Sequence, residues 1–555
     1  MSGSLRQELQ RVLKGDASDE AGVLAQYSRD TSIFEKTPEV VAFPKNADDV
    51  SAVVRYAHEA KERGENVSIA ARSAGTDMTG GTLTNSISLV FTKYMNHILD
   101  IGADYAVAEP GVYYRDFEKA TLAKGAGLLA SYPASRDLCA IGGIVSNNSG
   151  GELTLKYGKT NNYVRELDVV LSDGSQVTMG PLSAHELAVK QSQQGLEGDI
   201  YRGIHALIGA HEHEIEAAKP NVTKNSAGYA LWNVIDKKND TFDLTQLICG
   251  SQGTLGIVTK AKLGLVKPPA HRSMLVIFLS DIDILPDIVH RVLKLDPESF
   301  ESYDDQTFKL AVRFIPQIIG QFGIVEMIKL GFNFIPEVWM ALTGGVPKLV
   351  LMAEFAEKTP DESLRKAEEA QAALHGLHLK ARIAKSEAQS EKYWTIRRQA
   401  FALLRKNLSG LYASPFIDDL VVHPDDFPLF WPELNELLSH HKLLYTIQGH
   451  IGDGNFHIIP LMNLARAYDH REILELTPKV YELVAKYHGS ITGEHNDGLI
   501  RTPFLPIMFG DKMCALFAEV KKIFDPLNIL NPGKKVPFPG EGGSVEDIDR
   551  FMIKK

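Results

Sequence analysis

The stretch that most constrains this chain is VSIAARSAGTDMTGGTL, residues 67–83, where a short apolar strand runs directly into a loop carrying glycines 75, 80 and 81. Upstream, EVVAFP (39–44) reads as a strand and DDVSAVVRYAHEAKERG (48–64) as a helix, with Val50, Val53, Val54 and Ala57 at helical spacing and a glycine stop. The result is a β-α-β unit that ends in a glycine loop. Such a loop suits backbone N–H groups curled around an anion such as pyrophosphate, since missing side chains permit close approach. A flexible surface loop has the same composition, so the loop alone does not decide. The one G-x-G-x-x-[GA] match, Gly125 to Ala130, follows a helix-like stretch and fails the context of a Rossmann turn.

With 555 residues the chain exceeds one hydrophobic core, so two or three domains are expected. A strand-rich, glycine-rich region runs to about residue 265, through SLVFT, AVAEPGV, RELDVVLSDGS and GIVTKAKLGLV. From 270 to 460 strands (SMLVIFL, KLVLMAEFA) alternate with helices (DILPDIVHRVLKLD, SLRKAEEAQAALHG), which suggests an antiparallel sheet with helices on one face. The end is helical again and closes with DPLNILNPGKKV. A formal charge of −11 argues against nucleic acid as a partner. Cys139, Cys249 and Cys514 form no CxxC pair, which fits a reducing compartment and no cysteine-ligated iron–sulfur cluster in this chain. No signal peptide is visible in the charged start. The apolar stretch 314–345 is broken by Pro316, Glu326, Lys329, Pro336 and Glu337 and never offers a span; it reads as buried or lid-forming helices, or as a surface for a membrane or partner.

GHIGDGNFH, residues 449–457, holds two histidines around a glycine–aspartate knot. LLYTIQGH and NFHIIPLM are strand-like, and Asp453-Gly454 between them is a favoured two-residue hairpin turn. That turn pairs Gly452 with Asn455 and sets His450 opposite His457, with Cβ atoms about 4.5–5.5 Å apart. Two imidazoles so placed can chelate a divalent ion, and a one-residue slip would separate them. A histidine pair stacked on a sheet surface satisfies the same spacing. GSITGEHNDGLIR (489–501) supplies a candidate third ligand in Glu494, adjacent to His495 in a turn that lets both approach one pocket. KYWTIRRQAFALLRK (392–406) contains Trp394 and Arg397; Arg397 or Arg398 faces inward, or both join Arg405 and Lys406 on a solvated basic face.

Together with YPASRDLCAIGGIVSNNSGG (132–151), LICGSQGTLGIVTKAKLGL (247–265) and DPLNILNPGK (525–534), these motifs resemble flavoproteins of the vanillyl-alcohol-oxidase type. More closely they resemble the D-lactate/D-2-hydroxyglutarate/glycolate dehydrogenase branch, over residues 36–536. The resemblance implies an α+β chain: an N-terminal helical segment (1–35), a two-subdomain FAD-binding domain (36–268), an α+β cap with a helix-covered antiparallel sheet (269–480), and a C-terminal segment returning to the FAD domain (481–555). It implies that Arg72, Ser73, Ala74, Gly75, Thr76, Gly80 and Gly81 wrap the FAD pyrophosphate. Pro133, Ser135, Gly142, Gly143, Asn147 and Gly151 would line the ring and ribityl region. Gly250, Gly256 and Ile257 would sit near the adenine, and Asn531 would reach the flavin from the tail. Ser73, Gln252 and Ala140 depart from the common glycine, glutamate and threonine, and the first loop lacks the histidine used for covalent attachment, so FAD is expected to be non-covalent.

HIGDGNFH and GEH also match family motifs, which implies metal ligation by His450, His457 and Glu494, with His495 as the active-site base and Arg397 at the substrate carboxylate. Zn²⁺ and Mn²⁺ both fit. Asn496 replaces the usual glycine beside the base, and the GEHxDG form looks like the long bacterial D-2-hydroxyglutarate dehydrogenases without their iron–sulfur extension. The expectation is oxidation of a D-2-hydroxy acid to a 2-oxo acid, with electrons passed to a quinone, an electron-transfer flavoprotein or an iron–sulfur partner. The expected location is cytoplasmic or peripheral to the inner membrane. A non-catalytic FAD-binding subunit of a larger redox complex is the competing reading.

Overall fold

The computed structural model describes residues 4–305, 307, 347–384, 386–406 and 410–554. The apolar stretch 314–345, and with it the question of a membrane or partner surface, lies outside the described residues, as do the side chains of Arg398, Arg405 and Lys406.

The first strand–helix–strand unit forms where the residue pattern places it: strand Val40–Phe43, helix Ala47–Glu62 and strand Ile69–Arg72. Asn46 caps the helix by accepting from the Asp49 amide, and Val50, Val53, Val54 and Ala57 are buried along one face. The two strands are not neighbours, however. Strand Ile87–Val90 lies between them and runs parallel to both, while Asp16–Ser18 pairs antiparallel with Val40–Phe43. The glycine loop therefore leaves the C-terminal end of an edge strand, where ligands bind in open parallel sheets. The chain's tail returns to that edge, Ile69 donating to Ile529 O and accepting from Asn531 N. A second, antiparallel sheet of five strands follows, ordered Ile98–Ile101, Tyr105–Ala108, Ile257–Gly264, Val164–Val170, Gln176–Met179.

Eight strands between residues 271 and 462 form the third sheet, all antiparallel. Alternation along its strands divides two layers. Leu275, Ile277, Phe300, Leu351, Ile447 and Ile458 pack under helices Leu285–Leu293, Pro360–Ala373, Phe427–Ser439 and Ala467–Lys486. The expectation of helices on one face alone needs correction. On the opposite face Met274, Val276, Tyr303 and Met352 meet Tyr393, Trp394 and Ile396 of helix Glu387–Lys406. Because side chains alternate, that second face also carries Glu301, Gln448, His450 and His457, and it looks toward the glycine loops.

Candidate active site

A cavity of about 590 Å³ separates the cap sheet from the two smaller sheets, within the size range of small-molecule sites. Of the residues expected to hold FAD, Arg72, Ser73, Ala74, Gly75, Thr76, Gly81, Pro133, Ser135, Gly142, Gly143, Asn147, Gly256 and Ile257 line it. A cofactor that presses against backbone fits this wall. A Cβ at Gly143 would meet only Ser73 Cβ, at 4.0 Å, and one at Gly253 only Ala71 Cβ, at 3.6 Å, so both glycines leave room for a ligand.

Four residues expected at FAD are not among those lining the cavity. Gly80, Gly151, Gly250 and Asn531 lie behind the cavity wall and hold it. A Cβ at Gly151 would stand 2.2 Å from Tyr132 O, Gly80 carries φ +79 against Leu499 and Phe34, and Gly250 accepts from Asn496 Nδ2. Asn531 donates to Gly81 O and Gln252 O, both at 2.7 Å, so the tail clamps the loops. The glycine loop is also less open than its composition suggests. The Thr79 and Gly81 amides donate to the Asp77 carboxylate at 3.0 and 2.7 Å, so two of the loop's N–H groups are spent within it, while residues 73–78, Gly81 and Thr82 line the cavity.

On the cap side the expected hairpin forms with a different register. Strands Leu444–His450 and Asn455–Met462 pair Gln448 with His457 and His450 with Asn455, so His450 does not oppose His457. A two-residue turn of the favoured type needs positive φ at both central positions. Only Gly454 has it, at +69°; Asp453 completes a 3₁₀ turn over Ile451–Asp453, and the loop takes four residues. The register moves by two, not one, so both histidines keep the same face. Their rings meet edge to face with centroids 5.3 Å apart. One ligand atom each from His450, His457 and Glu494 falls within 4.8 Å of the others, with His450 Nε2 3.3 Å from Glu494 Oε1. Two imidazoles and a carboxylate suit a divalent ion with open positions, and both imidazoles are oriented for it.

That orientation comes from acids the sequence reading did not single out. His450 Nδ1 lies 2.7 Å from Glu301 Oε1, and His457 Nδ1 lies 3.1 Å from Asp418 Oδ1. A carboxylate at Nδ1 fixes the ring and leaves Nε2 as the donor atom, the usual support of a metal-bound histidine. Asp418 Oδ2 lies 2.9 Å from His495 Nδ1, and Glu301 forms an ion pair with Arg397. Asp419, at φ +66, accepts the backbone N–H groups of Glu494 and His495, both at 2.8 Å, and fixes the turn that brings them to the pocket.

Burial pushes Glu301, Asp418 and Glu494 upward, but neighbouring cations and imidazoles outweigh it and hold all three below the ordinary carboxylate range. His495 is pushed down by burial and up by Asp419 and Asp418, which win and place it at about 9. Lys224, fully buried, sits 2.5 Å from Glu494 Oε1 and 3.2 Å from Asp453 Oδ2. Asp418–Asp419 had a readable signal, an acidic pair inside the apolar run FIDDLVV. Lys224 and Glu301 had none.

Residues 38–180 match the FAD binding domain family, and residues 268–535 match the C-terminal domain of FAD linked oxidases. The chain therefore carries an FAD-binding domain followed by an FAD-linked oxidase C-terminal domain. The fold is shared with 4-ethylphenol oxidase from Gulosibacter chungangensis (TM-score 0.68, 17% identity, 96% of this chain and 97% of that one) and with p-cresol methylhydroxylase (TM-score 0.67, 15% identity, 96% of each). In sequence it is similar to the D-2-hydroxyglutarate dehydrogenase of Pseudomonas putida, 26% identical over 98% of this chain and 52% of that protein. It is also similar to glycolate oxidase subunit GlcD of Bacillus subtilis (27%, 92% and 91%) and to the D-lactate dehydrogenase of Archaeoglobus fulgidus (25%, 91% and 95%). The chain spans about half the length of the first curated relatives it matches.

Proposed function

We propose that this chain oxidises a D-2-hydroxy acid to the 2-oxo acid, using non-covalent FAD and a divalent ion, Zn²⁺ or Mn²⁺, held by His450, His457 and Glu494. One observation carries the reading: His450, His457 and Arg397 of the cap, with Glu494 and His495 of the C-terminal segment, line the same cavity as the glycine loops expected to hold FAD. Bound here, FAD would supply a hydride acceptor, and a divalent ion would supply Lewis acidity toward the 2-hydroxyl and a positive charge that disfavours protonation of His495.

The protein's own residues supply binding and orientation. Arg397 offers a planar fork to the substrate carboxylate, and its pairing with Glu301 keeps that fork beside His450. His495 receives the hydroxyl proton at Nε2, because Nδ1 faces Asp418. The similarity to dehydrogenases and to a glycolate oxidase subunit supports the reaction class, and it supports transfer of electrons from reduced flavin to an external acceptor: a quinone, an electron-transfer flavoprotein or an iron–sulfur partner. Among the described residues no helix is long and apolar enough to cross a membrane.

Anaerobic mixing of the yellow protein with D- and L-2-hydroxy acids tests the proposal. Bleaching of the flavin by a D-enantiomer, dependent on added metal, is the expected result. A flavin that no hydroxy acid reduces would favour a non-catalytic FAD-binding subunit, and turnover unaffected by chelation would remove the metal from the scheme.

A further inference from the structure

Glu301 and Asp418 come from separate parts of the cap, strand Ser299–Asp304 and the turn before strand Leu420–Val421. Both are buried, at 1% and 0% exposure, and each places its two oxygens in the same way. One oxygen holds the Nδ1 of a histidine in the ligand triad. The other makes an ion-pair contact, without hydrogen-bond geometry, to a residue proposed above to meet substrate: Glu301 joins His450 to Arg397, and Asp418 joins His457 to His495. Neither acid is free to drift. Arg501, itself fully buried, donates to Asp418 O at 2.7 Å, and Glu301 lies within the sheet, flanked by Ser299 and Tyr303 paired to the neighbouring strand.

We propose, resting on the function above, that Glu301 and Asp418 are paired positioning residues that tie metal binding to substrate geometry, Glu301 through carboxylate binding and Asp418 through proton transfer. The argument is steric as well as electrostatic. A carboxylate has one plane, so turning it to follow a histidine drawn onto an ion also turns the oxygen that holds its second partner. The two links divide the work. One leads to the group that binds substrate in the ground state, the other to the group that acts in the chemical step.

Neutral isosteres separate this from a merely structural role. An amide cannot accept from both partners: facing one with oxygen, it presents an N–H₂ donor to the other. In Glu301→Gln the amide oxygen stays with the Arg397 guanidinium and the N–H₂ meets His450 Nδ1, which disfavours the Nε2 lone pair that binds metal. Mn²⁺ affinity, measured by calorimetry on FAD-loaded, metal-stripped protein, should fall roughly 10–100-fold in Glu301→Gln and in Asp418→Asn. At saturating Mn²⁺, with D-lactate and D-2-hydroxyglutarate as probes, the kinetics should divide. Glu301→Gln is expected to raise KM by about tenfold or more while kcat changes by less than about threefold, and Asp418→Asn is expected to show the reverse.

Parent-like Mn²⁺ affinity in both variants, or equal changes in KM and kcat in both, would overturn the proposal. If an amide variant fails to retain FAD, Glu301→Asp and Asp418→Glu keep the charge and change the reach; the same division in smaller measure is expected, and the same contrary results count against it. A parent that binds neither Mn²⁺ nor Zn²⁺ overturns the metal part of the proposed function and this inference with it. A parent that binds Mn²⁺ and is bleached by substrate, with variants that match it, overturns this inference alone.

Discussion

The imidazoles of His450 and His457 meet edge to face with centroids 5.3 Å apart, although the two residues are not paired across their strands. Their closeness rests on parity. A register two residues from the expected one leaves both side chains on the cavity face, where a diagonal pair still lies close enough to share one ligand.

Loss of one ligand should therefore empty the site without disturbing the flavin. His450→Ala is expected to lose bound Zn²⁺ or Mn²⁺ while retaining FAD, since the FAD-facing loops belong to other sheets. Removing several kcal/mol of Lewis-acid assistance should slow turnover by roughly 10²–10³-fold. Metal analysis, the visible spectrum and kcat check the three parts.

The FAD wall has little slack at Gly142. A Cβ there would stand 2.5 Å from Ser73 Oγ and 2.6 Å from Pro110 Cβ, and Ser73 Oγ is already committed to Pro110 O at 2.9 Å. Gly142→Ala should cost about 1–3 kcal/mol of stability through overpacking and weaken FAD retention. Thermal unfolding and FAD content after gel filtration measure both.

Lys224 neutralises two buried acids at once. In Lys224→Met the metal-free protein retains Asp453 and Glu494 without their buried cation, at a cost of roughly 3–5 kcal/mol. A lowered melting temperature is expected, partly restored by added Mn²⁺, which offers Glu494 a new counter-charge. An unchanged melting temperature would contradict the electrostatic account.

A pH effect is expected from Glu354, which burial, opposed by Arg272 and reinforced by Glu298, raises to about 7. Its folded value lies above its unfolded one, so folding takes up a proton between about 4.5 and 7. That contribution is present in full at acid pH and is lost as pH rises through 7. Glu354→Gln should match the parent near pH 4.5 and exceed it in stability above pH 7, by on the order of 1–3 kcal/mol. Denaturant unfolding at pH 5, 6, 7 and 8 reads the slope.

Much of the architecture is legible in the sequence. The strand–helix–strand start, the alternating cap and the glycine loops follow from apolar periodicity and turn chemistry, which act over a few residues. The register of the histidine hairpin was read two residues off because Asp-Gly favours one turn locally, while the built loop places Asp453 beside Lys224 and gives positive φ to Gly454 alone. The resemblance implies Asn531 at the flavin, and in the structure it pins Gly81 and Gln252. That distinction depends on which side of a loop the tail passes, and no local pattern records it.

The sequence by itself determined the class of fold, the FAD-binding loops and the histidine, glutamate and arginine side chains available for chemistry, because each is announced by a short motif. Only the tertiary structure decided what stands behind them. Glu301 reaches His450 across 149 positions and Lys224 reaches Glu494 across 270. Such partners are chosen by burial: a charge removed from water must find its counter-charge wherever the packed chain brings one, and sequence distance has no part in that choice.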